Sequence, residues 1–137
     1  MKEVVVGHLG GDRYRMVVRG HGVTVDQPVE GGGTNDGPTP TELFVGSLAS
    51  CAAFFAGRFL RRHLSDDQDF WIEARFAMAD RPSRVTRVEI DLVLPAGIPQ
   101  AVRDGALAAA ERCTVHASIK EPLDIRIAAP EREAVSA

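Results

Sequence analysis

Apolar and β-branched positions crowd the first 26 residues, in "EVVVGHL" and "YRMVVRG", with the Gly-Gly-Asp turn of "LGGDRY" between them. Such runs on either side of a glycine turn predict a strand meander. "HGVTVD" adds a third strand, in which Val23 and Val25 alternate with Thr24 and Asp26 as on a strand with one wet face. After the loop "QPVEGGGTNDGP" the period becomes that of a helix. Thr39 and Glu42 form a capping box, and Pro40 takes the first helical position, where a missing N–H costs nothing. The predicted helix runs from Pro40 to about His63, with Phe44, Leu48, Cys51 and Phe55 at steps of four, three and four on one apolar face. Three arginines and a histidine in its last turns suit the negative end of the helix dipole.

Two more strands follow in "FWIEARFAMA" and "RVTRVEIDLVL", the second most regular through Val88, Ile90 and Leu92. "PAGIPQ" breaks the pattern, and Pro99 opens a second helix with Val102, Ala106, Ala109 and Cys113 on its apolar stripe. "PLDIRIAA" predicts a closing strand and "PEREAVSA" a loose tail. The order strands, helix, strands, helix, strand gives an α+β fold, a mainly antiparallel sheet with two principal helices, in a single domain over residues 1–137. Phe44, Phe54, Phe55 and Phe59 point in several directions around the first helix, more than one small sheet can cover. A partner chain is therefore expected, most simply a second copy.

Composition narrows the function. A chain of 137 residues, 45% hydrophobic and 26% charged, has ordinary globular proportions, and its net charge of -3 offers no general attraction for nucleic acid. Glu42, Ser47, Ser50 and Arg58 interrupt the longest apolar run before it reaches the roughly 20 residues of a membrane span. The start lacks a long apolar core ahead of a small-residue cleavage site, so no secretory signal is expected. These features predict a cytoplasmic protein with neither nucleic acid nor membrane as partner. Two cysteines are then too few for a disulfide scaffold, and a bond between them would be transient or catalytic. By helix position alone each reads as core, since free cysteine is among the most buried residue types. The glycines of "GGGTNDG" lack a following GK[ST] and read as a tight turn rather than a phosphate cradle. His116, three residues after Cys113, has too few companions for a zinc site, so no metal or cofactor is expected.

The run "GGTNDGPTPTELFVGSLASC", a second helix ending in "AERCTVH" and the segment "LDIRI" together resemble the OsmC-like proteins, which include the osmotically inducible and organic hydroperoxide resistance groups. The resemblance covers about residues 10–127. It implies an intertwined homodimer with two long central helices and active sites at the subunit interface. It also implies a thiol peroxidase in which Cys51 attacks an organic hydroperoxide and Cys113 resolves the resulting sulfenic acid as a disulfide. A dithiol reductant, a lipoylated protein in the hydroperoxide-resistance group, would then restore both thiols. A thiolate is the nucleophile in such chemistry, and a sulfenic acid condenses readily with a nearby thiol.

The activation of Cys51 is where the pattern departs. Cys51 lies eleven residues past Pro40, beyond the single turn over which the helix dipole acts, so a cation is needed. The resemblance points to an arginine near the first Gly-Gly turn. In "GGDRYR" that is Arg13, with Arg15 as the alternate on the same strand face. The hydroperoxide-resistance group holds its arginine with a glutamate ten residues before the cysteine, where this chain has Thr41. Glu42, nine before, matches a less characterised branch. Nine residues of straight helix turn through about 900° and rise about 13.5 Å, which puts Glu42 and Cys51 on opposite sides. The candidate catalytic residues are thus Cys51, Cys113, Arg13 and Glu42, with Glu42 read first as the helix cap and only second as a catalytic acid. The competing reading is a non-catalytic or slowly redox-sensing protein that binds a small apolar ligand between its subunits.

Overall fold

A computed structural model describes residues 1–131, so all but the first two residues of the expected tail "PEREAVSA" lie outside the described residues. The N-terminal meander consists of β1 (Val5–Gly10), β2 (Arg13–Val18) and β3 (His21–Val25), antiparallel in that order. Met16 stands opposite Val6 on one side and Val23 on the other. A 3-10 turn at Val29–Gly31 leads through the glycine loop to α1 (Pro40–His63). A second antiparallel pair, β4 (Trp71–Ala79) and β5 (Arg84–Val93), is followed by α2 (Gln100–Glu111) and a short α3 (Thr114–Ile119).

α1 begins and ends where its sequence signals place it. The Thr39 hydroxyl accepts the Glu42 N–H at 3.1 Å, and a Glu42 carboxylate oxygen accepts the Thr39 N–H at 2.9 Å, so the capping box is complete. The buried face differs from the expected one. It runs through Val45, Leu48, Ala52, Ala56 and Leu60, while Phe44 and Phe54 are exposed and Cys51 is half-buried. The reason is the neighbour: Ala52 and Ala56 pack against Ala106 and Ala110 of α2, and small side chains let two helices approach closely. Leu60, Phe59, Phe70, Ile72 and Leu92 fill the space between this helix pair and the β4–β5 sheet. By length and composition α1 is long and apolar enough to cross a membrane despite its four polar interruptions, as the core helix of a globular protein can also be. In this fold it packs instead on α2, β4, β5 and α3.

Three further expectations are corrected. Cys113 is not on the second helix: α2 stops at Glu111, and Cys113 caps α3 in an extended conformation. "PLDIRIAA" forms no strand, since no strand of the described chain pairs with it, and Leu123, Ile125 and Ile127 stand 60%, 72% and 94% exposed. Asp26 is not on a wet face but fully buried. The N-terminal meander packs chiefly within itself and leaves Val4, Val5, Val6, Leu9, Tyr14 and Val17 exposed, so its apolar residues contribute little to the core.

Candidate active site

Cys113 owes its place to the break between α2 and α3. Its thiol sulfur accepts the backbone N–H of His116 at 3.4 Å, and the residue is 1% exposed. The Cys51 side chain, carried on the edge of the buried face of α1, lies close enough to it to influence its protonation. Both are free thiols. Burial pushes the Cys113 thiol up from its ordinary range; the His116 N–H opposes this, and the adjoining Cys51 adds to it. Cys113 is thus held protonated at neutral pH, an environment suited to a resolving rather than an attacking thiol.

Beside Cys113 lies a cavity of about 430 Å³ bounded by α1, the β4–β5 sheet, α2 and α3, with Leu48 and Ala52 of α1 rather than Cys51 in its wall. Phe44, Leu48, Val88, Ile90, Leu107 and Ile119 make most of its wall apolar. Thr86, Arg87, Glu111, His116 and Cys113 supply the polar groups. A mostly apolar pocket of this size with a few polar groups suits a small organic molecule. Arg87 is occupied by an ion pair with Glu89. The His116 ring places Nδ1 3.2 Å from the Glu111 carbonyl oxygen.

The other two candidates are held elsewhere within the chain. Arg13 donates from Nη1 to Asp36 Oδ2 at 3.1 Å, in a half-exposed ion pair on the N-terminal meander. Arg15 lies over Gly22 of the neighbouring strand. Glu42 is engaged in the capping box at the N-terminus of α1. The structure therefore brings Cys51 and Cys113 together and brings neither Arg13 nor Glu42 to them within one chain.

Sequence reasoning passed over Asp26 and Asp36. The Asp26 carboxylate accepts N–H groups from Gln27 (2.7 Å), Thr34 (3.1 Å) and Asp36 (3.0 Å), and the Thr34 hydroxyl at 2.8 Å. These bonds, led by the one from Asp36, hold its pKa down at about 2 against the cost of burial. They also close the glycine loop: a side chain at Gly33 would meet the Gln27 carbonyl and the Asp26 carboxylate. Asp36, fixed by this loop, is what Arg13 pairs with. An aspartate just before a loop rich in Gly, Thr and Asn was the available signal, because its carboxylate can gather nearby backbone N–H groups.

Comparison with known proteins gives the setting. The OsmC-like protein family matches residues 33–128. An osmotic stress induced and detoxification response protein of Psychrobacter arcticus 273-4 superposes with TM-score 0.79 at 26% identity, over 87% of this chain and 88% of that one. The organic hydroperoxide resistance protein OsmC of Legionella pneumophila gives TM-score 0.60 at 17% identity, over 88% and 90%. The organic hydroperoxide resistance protein OhrB of Bacillus subtilis gives 0.55 at 17%, over 85% and 90%. The last two likenesses establish the fold alone. No curated protein matches the sequence.

Proposed function

The chain belongs to the OsmC-like protein family, and on that premise we propose that it is a thiol peroxidase that reduces organic hydroperoxides in the cytoplasm. The observation that carries this reading is the pairing of Cys51 and Cys113 as free, neighbouring thiols, with Cys113 in the wall of an apolar cavity. In this reaction the Cys51 thiolate attacks the terminal peroxide oxygen. The O–O bond breaks, Cys51 becomes a sulfenic acid, and the organic oxygen leaves and takes up a proton as an alcohol. Cys113 then attacks the Cys51 sulfur, forming the disulfide and releasing water. A dithiol such as a lipoylated protein returns both residues to thiols.

The working form in this proposal is a homodimer. The exposed apolar side of the N-terminal meander and the unpaired Leu123, Ile125 and Ile127 are surfaces a second copy would cover. Arg13 belongs to this reading as the cation that stabilises the thiolate of a partner's Cys51, with Asp36 holding it in place. Glu42 serves as the cap of α1. A turnover assay with cumene hydroperoxide and a dithiol reductant tests the proposal. Sustained peroxide loss that depends on the dithiol supports it, and no loss above the rate without enzyme sinks it.

The second reading, a binder of small apolar ligands, is favoured by the apolar wall of the cavity and by the absence of Arg13 and Glu42 from the thiols within one chain. It predicts that Cys51→Ser leaves the binding of an apolar fluorescent probe intact while peroxide turnover is absent from the wild type.

A further inference from the structure

The resolving step of the proposed cycle must carry the Cys113 proton to the departing hydroxide. Cys113 must lose its proton before its sulfur can attack the Cys51 sulfenic acid, yet Cys113 is almost wholly buried. His116 is the residue placed to take it. Its backbone N–H already grips the Cys113 sulfur at 3.4 Å, and its side chain lines the same cavity as Cys113. The contact of its ring with a backbone carbonyl favours one tautomer. A carbonyl oxygen can only accept a hydrogen bond, so Nδ1, 3.2 Å from the Glu111 carbonyl, carries the hydrogen, and Nε2 of the neutral ring holds the free lone pair. Arg87, the cation in the cavity wall, is paired with Glu89 and has no lone pair to offer.

We propose that His116 is the general base of the resolving step. This role rests on the peroxidase reading above. The Cys113 proton passes to Nε2, directly or over one water, as the Cys113 sulfur attacks Cys51. The S–O bond of the sulfenic acid breaks, its hydroxide leaves, and Nε2 returns the proton to that hydroxide as water. The step consumes one sulfenic acid and one thiol and yields one disulfide and one water, so no further oxidant or reductant is involved.

The test separates the two chemical steps. Wild type and His116→Asn are mixed with one equivalent of cumene hydroperoxide and quenched at intervals. Mass spectrometry then reads the Cys51 sulfenic acid, trapped with dimedone, and the Cys51–Cys113 disulfide. Expected in His116→Asn is disulfide closure slowed by about 10²-fold relative to the sulfenic acid formed in the same sample, and restored by added imidazole. Imidazole rescue is a response that neither a structural role nor a misfolded variant would give. Closure at the wild-type rate overturns the proposal. So does slow closure that imidazole leaves unchanged. A wild type that forms neither species fails at the earlier point and removes the peroxidase reading together with this role.

Discussion

The thiols of Cys51 and Cys113 adjoin although one sits mid-way along a 24-residue helix and the other caps a six-residue helix 62 positions later. The break after Glu111 makes this possible, because it turns Cys113 out of α2 and lets the His116 N–H hold its sulfur. The two cysteines therefore have unequal tasks. Cys51→Ser is expected to abolish peroxide turnover. Cys113→Ser is expected to keep the first oxidation and accumulate a Cys51 sulfenic acid, read as a dimedone adduct by mass spectrometry. Equal loss of the first step in both variants would contradict the division of roles.

Gly105 of α2 faces the ring of Phe59, and a β-carbon there would overlap that ring. Gly105→Ala adds roughly 1 kcal/mol of helix propensity, but the overpacking it forces costs about 1–3 kcal/mol. A net fall in the urea midpoint is expected, with the loss reduced in the double variant Gly105→Ala, Phe59→Leu. A more stable single variant would show that α1 and α2 have room to separate.

How far the sequence carried the fold depended on how local each signal was. The boundaries of α1 were legible because Thr39, Pro40 and Glu42 specify a cap within four residues. The buried face of α1 was not, because the pattern was drawn through large side chains, whereas the contact with α2 is made by Ala52, Ala56, Ala106 and Ala110. The alternation of Leu123, Ile125 and Ile127 fits a strand, but a strand needs an edge to pair with, and no local pattern supplies one. The site divided the same way. Both cysteines could be picked out by resemblance, but their approach to each other depends on the helix break at Arg112 and Cys113, and the Asp26 loop depends on bonds spanning up to ten residues.

Asp26 gives the loop a definite acid response. Its pKa is about 2 in the folded chain against an ordinary 3.8, so its contribution to stability is complete above about 3.8. That contribution is lost as pH falls from there through about 2. Asp26→Asn should lower the urea midpoint at pH 6, with the gap from wild type narrowing between pH 4 and pH 2. A gap that does not change over that interval would mean that the carboxylate charge is not what holds the loop.

Leu123, Ile125 and Ile127 are exposed at alternate positions, with Asp124 and Arg126 paired between them at 3.3 Å. In the proposed dimer this segment is covered. Ile125→Lys is expected to shift the chain from dimer to monomer in sedimentation and to lower peroxide turnover with it, since Arg13 would no longer reach a partner's Cys51. A monomeric wild type would contradict both the dimer and the route by which Arg13 acts.

The central claim is that Cys51 and Cys113 form one redox pair. It is tested most directly by treating the reduced protein with one equivalent of cumene hydroperoxide, counting free thiols and mapping peptides by mass spectrometry. The account predicts loss of both thiols and an intramolecular Cys51–Cys113 disulfide that a dithiol reverses. Two thiols that persist under conditions that oxidise a known thiol peroxidase would contradict it.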